Sequence, residues 1–306
     1  DLGPTRARRA WAALGVEGAQ TRYDFEPDDF ARLEKVLQQH EVRGLLVLGG
    51  LNAYHNMAEL VRRRNRYPGF NIPIICLPAT IDNSLPATDY TIGADTALNN
   101  IVDAVDKIKD TASSTHRAFI IEVMGGDCGY LPLMSALACG AEQAYLPEDG
   151  ISLEDLRAGV EDLREGFHSG KSLGIFVMGE NASRHYNTDV IRRVMQEEGH
   201  DEFEVRASIL GHLQRGGSPS PFDRIQGSRL ASHSIRHLLE QIREDDNSAN
   251  VIGLLGKKIE VTPLETAMAL LNEAGGRPRE QWWYDLKDEL LRLAMAPVEV
   301  EGDNKS

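Results

Sequence analysis

The sequence predicts an α/β protein with mainly parallel sheets, divided into two similar lobes. Short apolar runs of strand length recur at 44–48, 72–77, 118–123, 172–178 and 251–255, separated by stretches with helical apolar spacing. Most of these runs stop at Gly or Pro, which is where an open parallel sheet presents its ligand-binding loops. The chain has 306 residues, 42% hydrophobic and 26% charged, enough to bury two separate cores.

Forty-seven acidic side chains against thirty-three basic give a formal net charge of -14. Such a surface has no general attraction for phosphate backbones, which argues against nucleic acid or an anionic membrane as partner. A small phosphorylated substrate needs only a local cluster of arginines. No apolar run is long enough for a membrane span, and no signal peptide is visible. Cys76, Cys128 and Cys139 are too scattered for a disulfide framework or a zinc site, so the expected compartment is the reducing cytoplasm. The chain starts at Asp1, and residues 1–6 read as the middle of a loop. A short Ala-rich helix over 6–14 follows, with no preceding strand for it to cover. A fragment lacking its first βαβ portion is expected.

Asp28 or Asp29 caps a helix with apolar face Phe30, Leu33, Val36 and Leu37, and Gly44 stands after its end. The strand over 44–48 closes on Gly49-Gly50, before a helix from Ala53 to about Arg66. A strand–GlyGly–helix turn lets backbone approach a phosphate at the helix N-terminus, though such turns also need glycine on steric grounds alone. The arginine run over 62–66 resembles a nucleic-acid patch, but at a helix end it fits interaction with the C-terminal dipole better. The strand over 72–77 stops at Pro78, and Thr80, Asp82 and Asn83 follow at its C-terminal end. Asp82 there is a candidate base; an Asx-turn is the competing role. Thr88 adds a second hydroxyl, and Gly93 precedes a helix with Ala97, Leu98, Ile101, Val102, Val105 and Ile108 inward.

After the strand over 118–123 come Met124, Gly125, Gly126 and Gly129, which make room for a ligand against bare backbone. Arg117 precedes that strand and should lie at the opposite edge, where it would serve a neighbouring chain. A short strand over 144–146, a helix over 153–167 and the strand over 172–178 follow, ending at Glu180. Glu180 is either a solvated loop carboxylate or a ligand. A helix is expected from about Thr188 to Glu198. Arg206, His212, Arg215 and Arg224 then gather around a Gly/Pro-rich loop. In an acidic protein these suit a bidentate grip on phosphate oxygens. Helices over 223–243, 264–272 and 282–293, the strand over 251–255 and a frayed tail over 299–306 complete the expected order.

Four motifs, PATIDN (78–83), TDYTIGADTALN (88–99), EVMGGDCGYL (122–131) and ILGHLQRGGSPSPFDR (209–224), resemble the phosphofructokinase family. The match runs in order along nearly the whole chain, and the last motif is long and specific. The resemblance implies a three-layer αβα architecture with the active site in a cleft between the lobes. It implies transfer of phosphoryl from MgATP, or from pyrophosphate in one branch, to the 1-hydroxyl of fructose 6-phosphate. On it Asp82 is the general base, with Thr80 beside the transferring phosphoryl group. Arg117 and Arg206 grip the sugar 6-phosphate from an adjacent subunit, and Met124, Gly125, Gly126, Glu180, His212 and Arg215 line the sugar site. Arg6, Gly49 and Gly50 fall to the nucleotide. A cytoplasmic, allosteric glycolytic homotetramer follows from the same likeness. Phosphoryl transfer needs in-line positioning, neutralised oxygens and a carboxylate to accept the hydroxyl proton, consistent with this set.

The departures lie on the nucleotide side. Active members carry Gly-Gly-Asp-Gly-Ser where this chain has Gly49-Gly50-Leu51-Asn52-Ala53, so the magnesium-holding Asp is Leu51, and a second acidic position is Ser84. Leucine offers a cation no oxygen. Pyrophosphate use is not expected, since that branch carries Asp and Lys where this chain has Asn52 and Ala79. Residues 1–93 with 214–264 are expected to form the ATP lobe, and 94–213 with 265–306 the sugar-phosphate lobe. ATP-dependent 6-phosphofructokinase activity is the first expectation. A regulatory subunit that binds a fructose phosphate without chemistry is the alternative, and another sugar or nucleoside kinase the third.

Overall fold

In a computed structural model, residues 27–111, 116–200, 202–272 and 274–294 are described. They fold around two four-stranded sheets, each the centre of its own unit. The expected Ala-rich helix over 6–14 and the tail over 299–306 lie outside them.

The described residues up to Thr80, with Ser84–Ile92 and Pro221–Arg279, form the first unit. Its elements are α1 (Pro27–Gln39), β1 (Leu45–Gly49), α2 (Leu51–Arg62) and β2 (Ile74–Pro78), followed after the excursion by α7 (Pro221–Glu244), β7 (Ala249–Leu255), β8 (Lys258–Pro263) and α8 (Leu264–Ala269). Strand order is β1-β2-β7-β8, parallel except for the antiparallel β7–β8 pair. Alternation of side chains along β2 divides the core between the two faces. Ile74 and Cys76 pack with Phe30, Leu33, Tyr54, Met57 and Leu264 on one face, and Ile75 and Leu77 with Leu230 of α7 and Ile252 on the other. Helices therefore cover both faces, and β2 reads as a continuous apolar run because it is buried on both sides.

Ile81–Asn83, Gly93–Ser220 and the described residues from Glu280 form the second unit. It contains α3 (Ala94–Thr111), β3 (Arg117–Val123), α4 (Tyr130–Cys139), β4 (Gln143–Tyr145), α5 (Leu153–His168), β5 (Leu173–Gly179), α6 (Thr188–Glu198), β6 (Glu204–Ile209) and α9 (Leu286–Ala294). The order β4-β5-β3-β6 is parallel throughout. Phe119, Ile121, Ile175 and Val177 face α3, α4 and α9; Ala118, Ile120, Phe176 and Met178 face α5 and α6. A capping box starts α5, in which the Ser152 hydroxyl accepts from Asp155 N and the Asp155 carboxylate accepts from Ser152 N. Among the described residues no helix is long and apolar enough to cross a membrane.

Several local expectations change. The chain returns to the first unit at Pro221 and leaves it after Arg279, against the expected 214 and 264. The helix expected over 264–272 ends at Ala269, because Leu271–Asn272 pairs antiparallel with Arg277–Pro278. The last helix begins at Leu286; Trp282 and Trp283 precede it. The arginine run is tied down locally rather than by the helix dipole alone. Arg63 lies over the Phe30 ring and bonds Glu59, Arg64 donates to the carbonyls of Phe70 and Ile72, and Arg66 lies over Tyr67.

Candidate active site

In the first unit, parallel pairing sets Gly49 beside Pro78 at the C-terminal ends of β1 and β2, and Ala79 N donates to the Gly49 carbonyl at 3.1 Å. A Cβ on Gly49 would stand 2.6 Å from the Ala53 Cβ, so close approach of α2 requires that glycine. A Cβ on Gly50 would meet Thr80 Cβ at 3.6 Å, an ordinary contact. Gly50 is the N-cap of α2 and supplies no side-chain cap to its first turn. Thr80 is held through its carbonyl, which accepts from Thr91 Oγ1 at 2.7 Å. Gly49, Gly50 and Thr80 thus come together; Arg6 lies outside the described residues. Thr88 has a structural role, donating to the Tyr90 carbonyl and accepting from Leu254 N.

Leu51, half-buried, packs with Ala53 against the core of this unit, and a Cβ on Gly276 would meet Leu51 Cδ2 at 3.7 Å. The turn after β1 therefore presents hydrocarbon where a cation needs oxygen. Among the described residues no group of three or more His, Cys, Asp or Glu side chains is placed to hold a metal ion. The turn does not fit a magnesium ion held by its own side chains.

In the second unit the central feature is the turn after β3. Cys128 N donates to the Gly125 carbonyl at 3.1 Å and closes it. Gly126 adopts a φ of 58°, a left-handed conformation that glycine takes without a Cβ penalty. A Cβ on Gly125 would stand 2.8 Å from the Cys128 carbonyl oxygen. Two successive N–H groups, Gly125 at 3.2 Å and Gly126 at 2.9 Å, donate to Glu180 Oε1. Glu180 follows β5 directly, and its own N–H donates to the Val123 carbonyl at 2.9 Å. Glu180 is thus neither of the two alternatives alone: its carboxylate braces the glycine turn.

Asp82 is half-buried and belongs to this unit. Its neighbour Ile81 packs against the unit's core, and buried Asn83 accepts from Cys128 Sγ at 3.8 Å through its carbonyl. Asp82 is therefore one residue from a contact with the glycine turn. His212 and Arg215, both exposed, flank buried Gln214 in the 3-10 turn Gly211–Arg215. Gln214, which sequence reasoning did not single out, bonds Met124 in both directions: Met124 N donates to its Oε1 at 3.0 Å, and its Nε2 donates to the Met124 carbonyl at 3.2 Å. A glutamine between two basic residues gave no signal of burial. Asn181, also missed, donates to Asp127 Oδ1 at 3.1 Å.

Arg117 opens β3, whereas Met124 follows its last residue, so roughly 20 Å of strand separates them. Register pairs Arg117 with Glu204 and Phe119 with Arg206 on the edge strand β6. Arg117 Nε donates to Glu204 Oε2 at 3.0 Å and Arg206 Nε to Glu204 Oε1 at 2.9 Å. Bonding first to Arg206 and then to Arg117 holds the Glu204 carboxyl below the usual carboxylate range. The two arginines thus form a cluster apart from the Met124–Gly126 turn.

The sequence model described as Phosphofructokinase matches residues 12–238. An ATP-dependent 6-phosphofructokinase of Haemonchus contortus is 39% identical over 274 residues, covering 84% of this chain and 34% of the relative. ATP-dependent 6-phosphofructokinase 1 of Caenorhabditis elegans is 38% identical over 283 residues, covering 89% and 35%. The chain thus spans about a third of the length of the curated relatives it matches. The phosphofructokinase structure from Saccharomyces cerevisiae superposes with a TM-score of 0.82 at 28% identity, over 88% of this chain and 39% of that one. With a family match over most of its length and two αβα units built as the motifs imply, the chain belongs to the phosphofructokinase family.

Proposed function

We propose that the chain transfers the γ-phosphoryl group of ATP to the 1-hydroxyl of fructose 6-phosphate, the committing phosphorylation of glycolysis. The observation that carries this proposal is the likeness, over 84% of the chain, to a protein named ATP-dependent 6-phosphofructokinase. The position of Asp82 beside the contact between Asn83 and the glycine turn supports it.

The sugar 1-oxygen forms the new bond to phosphorus while the bond to the ADP oxygen breaks, and Asp82 accepts the hydroxyl proton. Thr80 lies by the transferring group, and Gly49, Gly50 and Arg6 serve the nucleotide phosphates. ATP arrives with its magnesium as one substrate, because the turn after β1 lacks a carboxylate of its own. Glu180 braces the turn through Oε1 and meets a sugar hydroxyl through Oε2. Met124, Gly125, Gly126, His212 and Arg215 complete the sugar side. Arg117 and Arg206 hold the 6-phosphate in a neighbouring subunit's site, which makes the working form a homo-oligomer, a tetramer by family habit. Such an enzyme acts in the cytoplasm under allosteric control. The residues 1–80 with 221–279 serve the nucleotide and the second unit the sugar phosphate.

A coupled assay with fructose 6-phosphate and MgATP tests the proposal. Asp82→Asn should lower kcat by about 10² to 10⁴ while leaving KM for the sugar nearly unchanged. Arg215→Ala should raise that KM by about tenfold or more, through loss of a charge-assisted bond. Binding of the sugar phosphate without any MgATP-dependent turnover by the wild-type chain would overturn it.

A further inference from the structure

The Met124–Gly126 turn and the basic pair His212 and Arg215 sit on different segments, ninety residues apart in sequence, yet one buried amide fastens both. Gln214 is 1% exposed. Its side chain treats Met124 as a strand neighbour would, accepting from the main-chain N–H at 3.0 Å and donating to the carbonyl at 3.2 Å. A primary amide is the side-chain group that satisfies such a donor–acceptor pair from one residue. The 3-10 turn that carries Gln214 is also held to α3. Asn100 of α3 donates to the carbonyls of Gln214 at 3.2 Å and Gly216 at 2.7 Å. The chain beyond is held to α3 again, where Ser220 N donates to Thr96 Oγ1 at 3.0 Å and the Ser220 hydroxyl bonds Asp95. Glu180 braces the same glycine turn from β5. The turn is thus supported by the side chains of Glu180 and Gln214, and Gln214 is carried on the same 3-10 turn as His212 and Arg215.

We infer that Gln214 is the positioning residue of the sugar-phosphate half-site, setting the spacing between the Met124–Gly126 turn and His212 and Arg215, with Asn100 as its support. This rests on the proposed sugar-phosphate reading for its consequence, but not for its geometry. Without the amide, the Met124 N–H and carbonyl lose these partners, and the two turns are left to the β3–β6 ladder, which ends where Leu210 N donates to the Glu122 carbonyl at 3.0 Å. A misplacement of this kind acts on binding and turnover together.

The test uses the full chain and reads two quantities. Hydrogen exchange, measured with no ligand, should show Gln214→Ala losing protection in peptides over 122–130 and 209–217 together, with peptides over 44–62 unchanged. Asn100→Ala, at a half-buried position, should loosen 209–217 in the same way. Unchanged exchange over 122–130 in Gln214→Ala would overturn the clip. Calorimetric titration with fructose 6-phosphate then reads the consequence, with affinity expected to fall about tenfold in Gln214→Ala. Gln214→Glu keeps the acceptor and loses the donor at neutral pH. Burial raises such a carboxyl, so mild acid should protonate it, restore the donor and recover affinity relative to wild type at the same pH, which Gln214→Ala cannot do. Wild-type affinity in Gln214→Ala would overturn the positioning role. A wild-type chain that binds no fructose 6-phosphate contradicts the proposed function instead, and the exchange result still decides the clip.

Discussion

Adjacent glycines in the turn after β1 are held to different standards by their surroundings. Gly49→Ala drives a Cβ to 2.6 Å from Ala53, whereas Gly50→Ala meets Thr80 at 3.6 Å. Denaturant unfolding should therefore show Gly49→Ala destabilised by about 1–3 kcal/mol and Gly50→Ala by less than about 1 kcal/mol. Equal losses at the two positions would show that packing against α2 is not what selects Gly49. Burial pushes the Cys76 thiol up to about 12, and Cys128 and Cys139 are buried as well. A thiolate-directed alkylating reagent at neutral pH should leave all three unmodified in the folded chain and label them on unfolding. Labelling of the native chain at a rate typical of exposed thiols would contradict that packing.

The sequence announced the elements whose burial is two-sided and hid those whose burial is not. Strands β2, β3 and β5 read directly because nearly every residue faces a core. Strand β6 showed only the apolar pair at its end, since Glu204, Arg206 and Ala207 are exposed on an edge and Val205 alone is buried. Strand β8 was hidden likewise by Lys258 and Glu260 on the edge of the first unit's sheet. Helix α4 gave no periodic signal because seven of its ten residues are buried, which erases the polar face. Within the candidate site, the glycine turn and the basic residues were legible from composition, but the bracing role of Glu180 and the amide of Gln214 were not. Both depend on contacts between segments far apart in sequence. Edge strand β6 also carries a pH-dependent tie. The Glu204 carboxyl is depressed in the folded chain, so its bonds to Arg206 and Arg117 are complete above the ordinary carboxylate range and are lost as pH falls through the depressed value. Glutamate titration followed by NMR should place Glu204 below the ordinary glutamate value and raise it back toward that value in Arg206→Ala. An unmoved Glu204 would remove Arg206 as the cause.

At the scale of the molecule, among the described residues, each four-stranded sheet is roofed on both faces by its own helices, so each unit has its own core. Arg117 at the start of β3 and Arg206, level with Phe119 on β6, stand toward the opposite end of the sheet from the Met124 turn, which is why the proposed site draws on a second copy. Mixing Arg206→Ala with Asp82→Asn, each nearly inactive alone, should restore part of the turnover, because a mixed assembly contains sites that unite an intact base with intact arginines. Activity of the mixture equal to the sum of its parts would exclude sharing. The most direct measurement of the central claim is phosphorus NMR of fructose 6-phosphate and MgATP incubated with the chain. A second sugar phosphomonoester resonance, growing in step with ADP and suppressed by about 10² or more in Asp82→Asn, is the predicted result. ADP formation with no new sugar phosphate, or equal product with the variant, would contradict it.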